Sequence, residues 1–277
     1  MSDPPEAPDS WITVEYLGRI AILTINRPQK LGALTKDGFY LLTQRLREID
    51  THDEVFITIL TGTGRFFSAG VDISTSNAID PGTDIWRESL RETVSYTLNS
   101  TEAFYTHSKI LVTALNGPVV GIAAALVSFS DFIFCAPHAY LLTPFTSLGL
   151  IAEGGASVGF VRRMGVSKAT EALLTSRKIL ADDLVACGFV NKVFEDCAEG
   201  EDEKLRERVI AHVDDTLGPH LVGSSLLETK KLLMLSMKQQ VDQSVVAELM
   251  GGLKRQALGI PQREFEKIRT GEKRHKL

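Results

Sequence analysis

Two hydrophobic rhythms alternate along this chain. Ile12 to Leu17 alternates apolar and polar positions, and Ile20 to Ile25 is a second β-rich run beyond Gly18-Arg19. Period-two patterning broken by a glycine predicts an N-terminal hairpin. After Arg27-Pro28 the period lengthens: Phe39, Leu42, Leu46 and Ile49 recur at helical spacing, with Thr35 placed to cap the helix. Val55 to Thr61 is β-branched and ends in Gly62-Thr63-Gly64. A polar, helix-compatible stretch from about Asp84 to His107 then leads to the apolar strand Ile110 to Leu115. A short helix near Gly121 to Phe129 and a strand over Asp131 to Cys135 follow. Strand and helix signals alternate to about residue 190, which predicts an α/β architecture.

Beyond that point the pattern changes. Six of the nine residues from Glu195 to Glu203 are acidic, which reads as a surface linker or helix start and divides 1–195 from 196–277. The second part reads helical, and Val245, Val246, Leu249, Met250 and Leu253 form a stripe that must cover either its own core or a neighbouring subunit.

The stretch from Ile110 to Phe129 is nearly uncharged over about the length of a membrane-spanning helix. Asn116-Gly117-Pro118 interrupts it where a span needs continuity, so a buried strand, turn and helix are expected, and no membrane span. A formal net charge of −5 over 277 residues lacks the basic field of a nucleic-acid binder. Cys135, Cys187 and Cys197 have no paired spacing and the six histidines are scattered, so neither a disulfide framework nor a metal site is expected. The N-terminus carries Asp3, Glu6 and Asp9 and no basic side chain before Arg19, the wrong chemistry for a mitochondrial transit peptide.

Three glycine-containing segments each follow a strand-like run: Phe66 to Asp72, Asn116 to Ile122, and Leu148 to Gly155. Such turns are commonly just tight connections. Glycine also permits close approach of a ligand to the main chain, and N–H groups at a helix start are free to meet negative charge. Two of them converging on one oxygen make an oxyanion hole. Glu153, alone, reads as a solvated loop charge. Its place between the apolar Leu148 to Ala152 and two glycines instead allows a dry setting in which a carboxylate becomes a useful base.

The runs GRFFSAGVDIS (Gly64 to Ser74), HSKILVTALNGPVVGIAAALVSFSD (His107 to Asp131) and LGLIAEGG resemble the enoyl-CoA hydratase/isomerase, or crotonase, superfamily over most of residues 12 to 195. Among its members the set is most similar to the fungal peroxisomal Δ3,Δ2-enoyl-CoA isomerases. The resemblance implies a crotonase-type spiral of strand-strand-helix units followed by a C-terminal helical trimerisation region, giving a homotrimer or dimer of trimers. It implies an acyl-CoA substrate with no further cofactor. It places the oxyanion-hole N–H groups on Val71 and Ile122, Val71 departing from the usual alanine. Ala69, Gly70, Val71, Asp72 and Ile73 would line the CoA thioester and adenine side, and Lys30, Leu31 and Ala33 the pantetheine-facing loop. The two hydratase glutamates fall on Ala125 and Phe145, neither of which transfers a proton, whereas the isomerase carboxylate falls on Glu153. One base and an oxyanion hole suit a 1,3-proton shift rather than hydration.

Rival readings stand beside this one. Gly155-Ala156-Ser157-Val158-Gly159 matches the G-x-S-x-G pattern of serine hydrolases, with His212 and His220 downstream, but Glu153 to Gly155 is a poor strand end. A catalytically silent CoA-binding scaffold is a second, countered by Glu153. A dienoyl-CoA isomerase is a third; by resemblance that type uses more than one acidic residue in the pocket. The chain closes on His275-Lys276-Leu277, similar to an S-K-L peroxisomal address read by an import receptor, so a peroxisomal location is expected, with the cytosol as fallback.

Overall fold

The computed structural model describes residues 10–72, 82 and 84–273. In chain order its elements are β1 (Ile12–Leu17), β2 (Ile20–Ile25), α1 (Lys36–Asp50), β3 (Ile57–Gly62), α2 (Ile85–Glu92), α3 (Asn99–Thr106), β4 (Ile110–Leu115), β5 (Val119–Val120) and α4 (Ile122–Val127). Then come β6 (Phe132–Cys135), β7 (Tyr140–Leu142), α5 (Ala156–Thr175), β8 (Ile179–Leu180), α6 (Ala181–Ala186) and β9 (Lys192–Val193). Four helices follow: α7 (Asp202–Leu217), α8 (Gly223–Leu235), α9 (Lys238–Ala257) and α10 (Ile260–Arg269). A single π-helical turn, Thr93–Leu98, joins α2 to α3.

The larger sheet runs β1-β2-β3-β4-β6-β9; the β1–β2 hairpin is antiparallel and every later pair is parallel. A small sheet, β5-β7-β8, lies apart. The residues of β3 and β4 are all buried, as expected of parallel strands covered on both faces. Their period-two alternation sorts them between two cores. Leu23, Leu60, Leu111 and Leu115 face α1, α4 and α5 with Phe39, Leu42, Leu46, Leu126 and Phe160. Ile22, Ile59, Val112 and Ala114 face the other way, onto Leu205, Val209 and Val213 of α7.

Helix α1 forms where the 3.6-residue period predicts it. Thr35 caps it by accepting a hydrogen bond from the Gly38 N–H (3.2 Å), and Phe39, Leu42, Leu46 and Ile49 are all buried. Residues 110–129 resolve into β4, β5 and α4, and no helix of the described residues is long and apolar enough to cross a membrane. The C-terminal stripe divides: Val245 and Leu253 are buried and Leu249 packs against the first core, while Val246 and Met250 point outward. Helices beyond the acidic run therefore help complete both cores.

Parallel pairing in register brings β2, β3 and β4 to an end at one level: Ile25 lies opposite Gly62, and Thr61 opposite Ala114. The loops leaving those ends, 26–34, 63–72 and 116–121, gather at the carboxyl edge of the sheet, where ligands of open α/β sheets bind. Asn116 ties that edge together. Its Oδ1 accepts from the Gly62 N–H (3.2 Å), and its Nδ2 donates to the carbonyls of Gly64 (2.7 Å) and Phe66 (3.2 Å). It is 2% exposed. Asn116→Ala should therefore lose roughly 2–4 kcal/mol of stability, measured by urea unfolding, since buried backbone groups are left without partners.

Candidate active site

The loops after β3 and β4 run side by side. Ser68 bridges Val119 in parallel register; the Ser68 N–H donates to the Pro118 carbonyl (3.3 Å) and the Val120 N–H to the Ser68 carbonyl (2.9 Å). Three residues further along each loop stand Val71 and Ile122. On its other side the first loop pairs with Leu34, whose N–H donates to the Gly70 carbonyl while its carbonyl accepts from the Asp72 N–H, both at 2.9 Å. In that pattern the N–H of the intervening residue, Val71, faces away from Leu34, toward the second loop. The φ of +87° at Gly70 produces this reversal, and a side chain there would lie 2.9 Å from the Val120 carbonyl oxygen.

Ile122 opens α4, so its N–H is one of the donors a helix start leaves unpaired. Gly121 before it adopts φ 63° and ψ −132°, a region that side chains shun. Among the hydrogen bonds of the described residues, neither the Val71 nor the Ile122 N–H has an acceptor. Two neighbouring unpaired donors at this edge have the makings of an oxyanion hole.

Glu153 comes from the loop between Leu148 and α5. A Cβ on Gly154 would lie 3.0 Å from the side chains of both Ile122 and Ala125, so the residue after Glu153 lies on the first turn of α4. Ala125 and Phe145 are 0% and 1% exposed and belong to the core. The residue Glu153 keeps some solvent-facing surface. Its carboxyl group is nonetheless pushed up to about 7, first by burial and then by the charge of Glu248.

Glu248 lies on α9 and is 7% exposed. Its two oxygens accept from the N–H groups of Gly155 (2.7 Å) and Ser157 (2.8 Å) at the start of α5. Burial raises its carboxyl group, and these hydrogen bonds act in the opposite direction. The Tyr96 hydroxyl, on the π-helical turn, is buried and has no hydrogen-bond partner among the described residues. Burial, with a smaller effect of the Glu153 charge, raises it well above 10. Neither Tyr96 nor Glu248 stands out in the sequence. The one available signal for Glu248 is an acidic residue three positions beyond Val245 in a buried stripe.

The remaining expected residues are placed as follows. Lys30 ends the 3₁₀ turn Pro28–Lys30, and Leu31 after it is left-handed (φ 53°). The Ala69 N–H donates to the Leu31 carbonyl (2.9 Å), which brings this loop against the oxyanion segment. The Ala33 carbonyl accepts from Arg27, whose buried guanidinium lies 4.1 Å from the Trp11 ring centroid and 3.3 Å from the Asp72 carboxylate. The Asp72 side chain thus braces the loop. Ile73 and the tail His275, Lys276 and Leu277 lie outside the described residues.

Ser157 is exposed within the first turn of α5, and left-handed Gly155 rather than a strand precedes it. His212 packs edge-to-face on Phe134 (5.1 Å) and Phe194 (5.8 Å) on the opposite face of the sheet. No hydrolase triad forms around Ser157 among the described residues. No group of three or more metal-ligating side chains occurs among them either. A cavity of about 420 Å³ lies elsewhere, between β1, β3 and α7, and its Arg206 is already paired with Glu15 and Glu203. Glu153 does not line it, and the geometry of the three loops is the better guide to chemistry.

Residues 15–214 match the family model described as enoyl-CoA hydratase/isomerase. The chain is 52% identical over 278 residues to a Delta(3,5)-Delta(2,4)-dienoyl-CoA isomerase of Pyricularia oryzae, covering 96% of this chain and 98% of that protein. It is 29% identical to a 3,2-trans-enoyl-CoA isomerase of Saccharomyces cerevisiae, covering 96% of each. A crystal structure of an enoyl-CoA hydratase/isomerase from Mycobacterium paratuberculosis superimposes with a TM-score of 0.76 at 25% identity, over 94% of this chain and 98% of that one.

The raised carboxyl yields a stability prediction. A carboxyl whose folded value lies above its unfolded value near 4.5 leaves stability intact below that value and removes it as pH rises through about 7. Glu153→Gln should therefore leave urea stability nearly unchanged at pH 4.5 and increase it by up to ~3 kcal/mol at pH 8. A variant no more stable than wild type at pH 8 would show that the carboxylate is well solvated.

Proposed function

We propose that this chain, which belongs to the enoyl-CoA hydratase/isomerase family, is a double-bond isomerase of enoyl-CoA thioesters, with Glu153 as the single proton-transferring base of a Δ3,Δ2 shift. The observation that carries this reading is the pairing of one half-buried carboxylate with two unpaired N–H donors, in a site whose other two candidate acid positions are Ala125 and Phe145. The thioester oxygen of a 3-enoyl-CoA accepts hydrogen bonds from the N–H groups of Val71 and Ile122. Glu153 takes a proton from C2, and the electron pair delocalises into a dienolate whose oxygen those donors hold. The same carboxyl returns the proton at C4, leaving the conjugated trans-2-enoyl-CoA. The double bond moves with no net gain or loss of atoms, and acyl-CoA is the substrate without a further cofactor. Hydration needs a second acid–base group to activate and deliver water, and Ala125 and Phe145 supply none.

A second substrate has its own support. The 52% identical relative and a 30% identical relative from Saccharomyces cerevisiae are both Delta(3,5)-Delta(2,4)-dienoyl-CoA isomerases. The same deprotonation at C2 of a 3,5-dienoyl-CoA gives an enolate longer by one double bond, which takes its proton at C6. The base and the hole are shared; what differs is how far along the chain the proton is returned.

The exposed apolar side chains Leu232, Leu233 and Leu235 of α8 and Val246 of α9 support assembly into a trimer or dimer of trimers. His275-Lys276-Leu277 supports recognition by a peroxisomal import receptor. A further relative, Enoyl-CoA delta isomerase 3, peroxisomal, of Mus musculus, bears on that location.

Purified protein assayed on 3-enoyl-, 3,5-dienoyl- and 2-enoyl-CoA should isomerise the first and leave the last unhydrated. Glu153→Gln should fold, bind acyl-CoA and lose at least ~10²-fold in kcat. Near-normal turnover by that variant would overturn the assignment. A kcat/KM at least tenfold higher on the dienoyl substrate would make the second reading the physiological one. The acid limb of kcat/KM should fall near pH 7, because Glu153 must be ionised to act as a base.

A further inference from the structure

Helix α9 lies along the loop that carries Glu153 and grips it at three levels. Arg255 donates from Nε to the Gly149 carbonyl at 2.5 Å. At Gly251, an added Cβ would stand 2.5 Å from Cδ1 of Ile151. Glu248 holds the N–H groups of Gly155 and Ser157. Residues 248, 251 and 255 share one face of a helix, so a single surface of α9 follows the loop from residue 149 to residue 157.

The choice of a carboxylate at the last of these levels has a cost. Glu248 is buried, and among the described residues no cation contributes to its electrostatics or to those of Glu153. Two N–H groups, one on each oxygen, are met by a carboxylate, whereas a glutamine has one acceptor oxygen. The helix start also favours a negative charge. Those facts account for Glu248 as a cap, but a cap on the far side of the protein would serve equally well. This one stands beside the base. Tyr96 of the π-helical turn and Glu248 of α9 are the titratable groups that share an electrostatic interaction with Glu153, the next residue, Gly154, lies against Ile122 and Ala125 of α4, and the first turn of α5 has no charged residue.

We propose that Glu248 is a positioning residue for Glu153: it clamps the backbone on the carboxyl side of that base through the N–H groups of Gly155 and Ser157, and so holds a second, buried carboxylate beside it. This rests on the reading of Glu153 as the base. A C-terminal helix, outside the two loops that carry the hole, would then govern the pH range of the reaction. In the proposed reaction Glu248 has no proton-transfer step; both of its oxygens are turned to the backbone N–H groups that it clamps.

The test uses the full chain. The pH profile of kcat/KM is measured for wild type and Glu248→Gln, and carboxyl infrared titrations are recorded for wild type, Glu248→Gln and Glu153→Gln. Glu248→Gln should move the acid limb downward by about one pH unit and lower the plateau kcat more than it changes KM. Coupling between two sites is reciprocal, so Glu153→Gln should lower the midpoint of Glu248 by a similar amount. That second measurement decides the matter if Glu248→Gln fails to fold. A cap with a purely structural role would lower thermal stability and leave both titrations in place, and that result would overturn the proposal. Full activity in Glu153→Gln would instead remove the reading beneath it, whatever the coupling between the two carboxyls.

Discussion

The constraint on which the rest of this structure depends is that two neighbouring backbone N–H groups stay unpaired at the edge of a close-packed sheet. An unsatisfied buried donor costs about 1–3 kcal/mol, and ordinary folding satisfies such groups. Here the backbone is bent to prevent it. Gly70 turns the first loop where the Val71 N–H faces away from Leu34, and Gly121 breaks the second loop so that Ile122 begins a helix with no acceptor for its N–H among the described residues. The loops are locked by the Ser68–Val119 bridge and by Asn116, so the donors are fixed before any ligand arrives. Preorganised donors of this kind stabilise developing charge without reorganising at the moment of reaction.

The carboxylate is placed by the same logic applied to a charge. Glu153 follows an apolar segment, the next residue rests against the first turn of α4, and burial makes ionisation of the carboxyl harder. Burial alone would raise its proton affinity; a second carboxylate nearby adds to the effect. A base near neutrality holds a proton firmly enough to remove it from carbon and loosely enough to return it. In the proposed reaction, donors that favour negative charge on the substrate oxygen are joined to a base whose own negative charge is disfavoured, and both push the proton in the useful direction.

Much of this was legible in the chain because it is local. Period-two and period-3.6 patterns mark β1 to β4 and α1, and Thr35 caps α1 as its side chain suggests. The glycine segments, with their resemblance to a known family, point to Val71, Ile122 and Glu153, and the fold brings the three loops together. What could not be read depends on tertiary neighbours. Glu248 is 95 residues from Glu153 and looks like any polar interruption of a helical stripe; its role appears only when α9 lies along the loop. Tyr96 sits on a π-helical turn, a local geometry with no sequence pattern of its own. Asp72 was expected beside the ligand through its backbone, and its side chain is committed to Arg27 because that guanidinium is itself buried against Trp11.

The relation between one carboxylate and two possible substrates is geometric. In a 1,3-shift the carbons that lose and gain the proton, C2 and C4, flank one carbon, so a single carboxyl group reaches both with little motion. A 1,5-shift ends at C6, two carbons further, and asks either for a wider swing of that carboxyl or for a second donor. The surroundings of Glu153 limit the first option, since the next residues are held by Glu248 and packed on Ile122 and Ala125. Among the described residues, the buried hydroxyl of Tyr96, which has no hydrogen-bond partner there, is a titratable group that feels the charge of Glu153. A phenol held well above 10 is a weak acid in water, yet an enolate carbon is a far stronger base than a carboxylate. The relatives favour the longer shift and the carboxylate count favours the shorter.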